Sequence, residues 1–201
     1  AFLPTALPAN LCYKGLVMRL LLSLLVCGGL SAVGSVYLFL RRDAFDLHIY
    51  NKTLAGAALL SLMLSTLWVA RDWRKGLGIA GVIVGTVHAG LSLVALPEDF
   101  EWPVFYLDRP VASVSGLLGW VMLVGIAAKT WRRPPEAPSR WVRATPAAIG
   151  LMAVHLLALK AEKWWGWTGK WDPALPPLSL LVGVTLLIWF IRRLSWRPAS
   201  V

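Results

Sequence analysis

The chain has 201 residues, of which 58% are hydrophobic and only 15% are charged. A soluble domain averages about 25% charged residues, so this composition excludes a typical water-soluble protein. The net charge is +10, but in a membrane protein such an excess marks the cytoplasmic ends of spans rather than binding to nucleic acid. The two cysteines, Cys12 and Cys27, lack the spacing of a redox motif and are predicted to be free thiols.

Six apolar segments approach the length of about 20 residues that a membrane-spanning helix requires. They are residues 16–40, 53–70, 77–96, 111–128, 144–159 and 175–191. We therefore predict an all-α fold, an integral membrane six-helix bundle that occupies residues 16–191. Residues 1–15, interrupted by two prolines, are predicted to lie at the membrane interface, and residues 192–201 are predicted to form a cytoplasmic tail.

Basic residues are unevenly distributed between the two sides of this predicted bundle. About two thirds of the 20 lysines and arginines fall at the termini or in the loops 71–76 and 129–143, and positive residues are enriched on the cytoplasmic side of a membrane. Both termini are therefore predicted to be cytoplasmic, in a multi-pass protein of the inner (plasma) membrane. Most tryptophans fall at or just beyond the ends of the spans, where aromatic residues meet the lipid headgroups.

One glycine motif is misleading. Gly76, Gly78 and Gly81 match the dinucleotide pattern GxGxxG. That pattern binds a pyrophosphate between a strand and a helix, whereas here it opens a predicted membrane span. We therefore predict no nucleotide site in this segment, and the sequence contains no recognisable NAD or flavin domain.

Two histidines inside predicted spans are the most informative residues. His88 lies eleven residues past Leu77 and His155 eleven past Ala144, where the third and fifth spans leave the cytoplasm. At 1.5 Å per residue both lie roughly 16 Å deep, near the middle of the hydrocarbon layer, where ionisable side chains indicate function. Two imidazoles that face each other at one level would supply the axial ligands of a haem iron.

Small residues accompany both histidines. Gly81 and Gly85 share the helix face of His88, and Ala148 shares that of His155. Small residues let a flat porphyrin, or alternatively another helix, approach the backbone. These three positions are therefore candidates for cofactor contact, with helix packing as the alternative.

Four basic residues are candidates to bind the two propionates of a haem. Arg41 and Arg42 close the first span on the outer side, against the positive-inside trend, and Arg109 and Lys160 lie on the same side. Snorkelling of these side chains to lipid headgroups is an equal alternative.

The histidines also allow other interpretations. Each imidazole can serve as a hydrogen-bonding group between helices, as part of a proton relay or as a ligand of another metal. Zinc is disfavoured, because two ligands are fewer than the three or four that a zinc site takes.

The third span resembles that of the ferric-reductase-like transmembrane domain family, above all its short bacterial branch, the MsrQ/YedZ-type haem-binding membrane subunits. The similarity is carried by Arg-Lys-Gly-Leu-Gly-Ile at 74–79, followed by His88. Arg-Pro at 109–110 before the fourth span, and Trp-Arg-Arg at 131–133 with Trp141 before the fifth, are similar to the same branch.

The resemblance implies a haem held by His88 and His155 in six helices with cytoplasmic termini. Members with two stacked haems carry paired histidines on a ligand helix, whereas each ligand helix here has one, so the resemblance implies a single haem b. It further implies an electron-transfer subunit of an oxidoreductase system. Electrons would pass from a membrane quinol or a cytoplasmic flavoprotein to a redox partner protein on the outer face, with a quinone or a flavin as a further cofactor.

Two other functions fit the same residues. A structural or assembly subunit of a larger membrane complex would use the small-residue faces and the tryptophan cluster at 164–171 as protein contacts, without a cofactor of its own. A transporter is disfavoured because no acidic residue lies inside a predicted span and no inverted repeat is visible. Membrane lipid is a partner in each case.

Overall fold

The chain folds into long helices, as seen in a computed structural model that describes residues 9–42, 47–67, 73–95, 104–131, 143–165 and 177–195. Within these ranges there is no β-strand, so the predicted all-α fold is confirmed for the described part of the chain. In chain order the helices are α1 (Ala9–Arg42), α2 (Leu47–Thr66), α3 (Arg74–Ala95), α4 (Val104–Asp108), α5 (Pro110–Trp131), α6 (Thr145–Trp165) and α7 (Leu178–Ser195).

Three of these helices contain segments long and apolar enough to cross a membrane, namely Gly15–Phe39, Arg74–Val94 and Pro110–Trp131. Two further apolar segments, Thr145–Ala161 and Leu178–Arg192, are shorter. Large apolar side chains are exposed along the helices, and Leu25 and Val33 of α1, for example, are each 70% exposed. Soluble monomers rarely expose continuous apolar surfaces. The helices therefore indicate a membrane protein, with a surface suited to lipid.

The second helix begins earlier than the sequence predicts. The predicted span starts at Thr53, after the polar residues Asn51 and Lys52, but α2 already begins at Leu47. Asn51 lies inside the helix because its side chain is buried and hydrogen-bonded to residues of α3. These bonds offset the cost of placing a polar amide among apolar groups.

The first helix is also longer than predicted. It begins at Ala9, inside the segment 1–15 that the sequence assigns to the interface, while its long apolar stretch covers Gly15–Phe39, close to the predicted span 16–40. Residues 1–8 and 196–201 lie outside the described residues. The short helix α4 falls in a loop of the predicted bundle, next to the start of α5.

Consecutive long helices run in opposite directions. In α2 and α3, which have the most extensive contact of any pair, Ser61 meets Leu77 and Asn51 meets Ser92, so the two helices are antiparallel. The same alternation holds for the pairs α1–α2, α3–α5, α5–α6 and α6–α7. The start of α1 and the end of α7 therefore lie at the same end of the bundle.

Hydroxyl side chains connect the first three helices. Ser31 and Ser35 of α1 both hydrogen-bond Thr53 of α2, at 2.9 and 3.2 Å, and Ser61 of α2 donates to the carbonyl oxygen of Leu77 of α3 at 2.9 Å. Hydrogen bonds between membrane helices contribute about 0.6 kcal/mol each on average. The apolar core lies instead among α2, α5, α6 and α7, around the fully buried Ile149.

Candidate functional site

His88 is held by the helix that precedes it in the chain. Its Nδ1 lies 2.7 Å from Oδ1 of Asn51 and 3.1 Å from the backbone carbonyl oxygen of Asn51, both on α2. α2 and α3 can approach closely at this level because α3 presents Gly85 to Ala58 of α2, where an added Cβ would lie 3.7 Å from the Ala58 Cβ. His88 is therefore half-buried against α2, with a defined ring orientation.

His155 is held in a similar way by α5. Its Nδ1 lies 2.7 Å from the carbonyl oxygen of Ala112. The ring packs against Gly116, one turn further along α5, so closely that a Cβ at that position would lie 2.5 Å from Nδ1. The absence of a side chain at Gly116 thus makes room for the imidazole.

The partners of both rings identify the nitrogen that carries the proton. A carbonyl oxygen can only accept a hydrogen bond, so Nδ1 donates in both histidines. A neutral imidazole with a proton on Nδ1 has its lone pair on Nε2. Among the described residues, neither Nε2 has a hydrogen-bond partner. Metal-binding histidines are commonly held in this way, with one ring nitrogen donating to a carbonyl oxygen and the other free to bind.

The two histidines lie at similar depths along the bundle, judged against α5, which is antiparallel to both α3 and α6. Trp120 of α5 donates its indole N–H to Thr86 Oγ1, two residues before His88, at 3.1 Å. His155 packs against Gly116 of the same helix. Because α3 and α5 are antiparallel, His88 lies about two residues closer to the level of Gly116 than Thr86 does, and the two rings are offset along the bundle axis by about half a helical turn, roughly 3 Å.

The two rings also share one region of the bundle. The helices that carry them, α3 and α6, have no extensive direct contact within the described ranges, and α2 and α5 each contact both. The histidines thus approach a common region from two different helix pairs, α2–α3 and α5–α6.

The small residues predicted beside the histidines are in contact with other helices. A Cβ on Gly81 would lie 2.8 Å from Cγ of Leu62 and 3.0 Å from the carbonyl oxygen of Ala58, both on α2. Gly85 faces the same helix, and Ala148 is fully buried in the apolar core. At these positions the structure describes helix packing, the alternative that the sequence left open, and cofactor contact stays a prediction.

The predicted propionate partners are only partly described. α1 includes Arg41 and Arg42, but their side chains lie outside the described residues, as does that of His48 in α2. Arg109 is exposed immediately before α5, where its carbonyl oxygen accepts the N–H of Ser113 at 3.0 Å. It lies three residues before Ala112, and therefore about one helical turn from the carbonyl group that binds His155.

Sequence reasoning missed two residues of this site, Asn51 and Gly116. An amide at the edge of a predicted span is a weak signal, because its polar side chain can equally lie among headgroups. Gly116 is one glycine among several in an apolar helix. Its contact with His155 depends on the rotation of α5 against α6, which the sequence does not specify. The carbonyl partners of both histidines lie on neighbouring helices, so residue spacing within one helix does not indicate them.

The described residues contain no group of three or more histidine, cysteine or acidic side chains that could hold a metal ion. A zinc-type site is therefore not formed by this part of the chain, whereas a bis-histidine site needs only two protein ligands. No family model, curated protein or solved structure matches this chain.

Proposed function

We propose that this chain is a haem-b electron-transfer subunit of a membrane oxidoreductase system, with His88 and His155 as the axial ligands. The observation that carries the proposal is the state of the two rings: each donates Nδ1–H to an oxygen of a neighbouring helix, and each leaves the Nε2 lone pair unpartnered among the described residues. Iron takes imidazole nitrogen in this form.

The residues present fit this group in three respects. The ligand helices α3 and α6 are spaced by other helices rather than packed together. The rings differ in depth by only about half a helical turn. Their hydrogen bonds restrict the ring orientations, so less ordering is needed on binding. When bound, a haem would supply a one-electron carrier between ferric and ferrous iron.

Gly81 and Ala148 pack against protein in this structure. α2 covers Gly81 and the apolar core encloses Ala148, and contact of these two residues with a haem stays a prediction. Thr86 and Trp120, which link α3 to α5 near His88, are better placed to line such a group. Arg109, Arg41 and Arg42 remain the proposed partners of the propionates.

We further propose that the six long helices all span the inner (plasma) membrane, with both termini in the cytoplasm. The alternating helix directions and the excess of basic residues at one end support this arrangement. Reporter fusions after the first, third and fifth long helices would test it: enzymes active only outside the cytoplasm should be active there and inactive after the second, fourth and sixth.

The electron donor and acceptor are proposed by class. A membrane quinol or a cytoplasmic flavoprotein would deliver electrons, and a redox partner protein on the outer face would receive them. The described elements are all helices and include no βαβ unit of the kind that binds a dinucleotide, so we propose that the electrons come from a partner. The glycine motif that mimics one lies in helix α3, where Gly76 and Gly81 pack against α1 and α2.

The experiment is an optical spectrum of the protein purified in detergent from haem-replete cells, oxidised and then reduced with dithionite. We expect the sharp reduced α-band of a low-spin b-type haem, lost in His88→Ala and in His155→Ala. His48→Ala is the matched control and should keep the band. A colourless wild-type protein contradicts the proposal and favours the structural or assembly subunit, in which both histidines are helix-packing groups.

A further inference from the structure

We propose that Asn51 is the positioning residue of His88: its side-chain amide, held in turn by Ser92, fixes the ring with Nδ1 protonated and Nε2 free to bind iron. The inference rests on the proposed function for its effect on haem, but its geometry stands without a cofactor. Asn51 was not among the residues predicted from the sequence, where Asn-Lys-Thr at 51–53 matches only the short glycosylation tripeptide.

Three hydrogen bonds form a closed cycle between α2 and α3. The Nδ1–H of His88 donates to Oδ1 of Asn51 at 2.7 Å. The Nδ2 amide group of Asn51 donates to Oγ of Ser92 at 2.9 Å. The hydroxyl of Ser92 donates to the backbone carbonyl oxygen of His88 at 2.9 Å. The cycle of hydrogen bonds thus begins and ends at His88.

This cycle of hydrogen bonds determines the orientation of the Asn51 amide. Ser92 has a single hydroxyl proton, and it is used on the His88 carbonyl oxygen, which cannot donate. The Ser92 oxygen can therefore only accept from Asn51, so the NH₂ group faces Ser92 and the amide oxygen faces His88. A flipped amide would place two acceptors, or two donors, against each other at both ends.

Burial makes the arrangement rigid. Asn51 is 8% exposed, and an amide that loses its hydrogen-bond partners while buried destabilises the folded protein. This free-energy cost opposes rotation of the Asn51 amide. It also opposes transfer of the His88 proton from Nδ1 to Nε2. Asn51 and Thr53 are both buried, which also leaves the glycosylation tripeptide without an accessible acceptor.

Within the described part of the chain, no side-chain amide holds His155 in this way. Its Nδ1 donates to a backbone carbonyl oxygen, that of Ala112, and its ring is confined by Gly116. A side-chain substitution can therefore remove the amide acceptor of His88 but not the acceptor of His155. The Nδ1–H groups of the two proposed haem ligands thus have different acceptors, and a substitution at Asn51 should affect only His88.

The test begins with the protein free of haem. Nitrogen-15-labelled histidine in detergent-solubilised apo protein reports which ring nitrogen carries the proton, and His88→Gln identifies the His88 signals by their loss. We expect His88 protonated at Nδ1 in the wild type and a substantial share protonated at Nε2 in Asn51→Leu. Asn51→Asp keeps an oxygen acceptor in either protonation state and should restore the wild-type form.

Ser61→Ala is the matched control, since it removes another buried hydrogen bond between α2 and α3 without touching His88. It should leave the His88 signals unchanged. If Asn51→Leu leaves the His88 proton on Nδ1, the backbone carbonyl oxygen of Asn51 alone fixes the ring and the inference is wrong. A wild-type His88 protonated at Nε2 would also overturn it, because Nδ1 could then not donate to Asn51. An equal change in Ser61→Ala would also overturn it.

A second measurement concerns haem itself. Haem titration of the apo proteins should show affinity reduced about 10–100-fold in Asn51→Leu, the range found when the outer partner of a metal-binding histidine is removed. Ser61→Ala should keep the wild-type affinity. Wild-type protein that takes up no haem would refute the proposed function alone, because the proton measurement on the same apo sample would still support or overturn the positioning by Asn51.

Discussion

Gly116 offers the most direct test of how His155 is held. An ideal Cβ at this position would lie 2.5 Å from Nδ1, 2.9 Å from Cε1 and 3.2 Å from Cγ of the His155 ring. Three ring atoms cannot all withdraw by a change of one torsion while Nδ1 keeps its 2.7 Å contact with the Ala112 carbonyl oxygen. Gly116→Ala therefore forces a choice between moving α5 and breaking this hydrogen bond.

The expected cost has three parts. Inserting a methyl group into a packed contact costs about 1–3 kcal/mol, and losing the hydrogen bond adds about 0.5–1.5 kcal/mol. Alanine favours a helix over glycine by about 1 kcal/mol, which acts in the opposite direction. The free energy of unfolding should therefore fall by about 0.5–3.5 kcal/mol, and haem binding should weaken because the ligand is displaced.

The assay is thermal unfolding of the detergent-solubilised protein, followed by circular dichroism, together with haem titration. Gly125→Ala is the matched control on the same helix, because a Cβ there meets nothing within 4 Å. It should be neutral or slightly stabilising, with haem affinity unchanged. Equal stability and equal haem affinity in the two variants would refute the packing of His155 against Gly116.

Two further predictions concern helix packing. Gly81→Ala places a methyl group 2.8 Å from Leu62 Cγ and should destabilise the protein by about 1–3 kcal/mol. Gly85→Ala is the control, because its nearest contact is at 3.7 Å, and it should be tolerated. Equal melting temperatures of the two variants would contradict the described α2–α3 contact. A Cβ at Gly183 would lie 2.7 Å from the Trp164 ring, so Gly183→Ala should lower the melting temperature and change the tryptophan fluorescence. An unchanged fluorescence spectrum and unchanged stability would argue against the α6–α7 contact.

The helical fold could be predicted from the sequence because runs of apolar residues have few other solutions in lipid. The six long helices correspond one to one with the six predicted apolar segments. The start of α2 differs from the predicted segment, because the polarity of Asn51 and Lys52 was interpreted as a boundary. Hydropathy records whether a side chain is polar, but not whether a neighbouring helix offers it a partner, as Ser92 and His88 do for Asn51.

The candidate site was accessible to sequence reasoning only in part. His88 and His155 could be found because ionisable residues are rare inside apolar segments, and their similar depth follows from counting residues. What surrounds them depends on the rotation of each helix about its axis. The face shared by Gly81 and His88 could equally meet a cofactor or a helix, and α2 occupies it at Gly81. Lone residues of common types, such as Gly116, carry no signal until that rotation is known.

The division of the histidines between two helix pairs has a consequence for biogenesis. α1, α2 and α3 are synthesised before α5 and α6, so His88 and its amide partner can be in place while His155 has not yet been made. A ligand that bridges the two rings would then bind only after the second pair has docked onto the first. Its binding free energy would be added to that docking step, and the cofactor would stabilise the association of the two helix pairs.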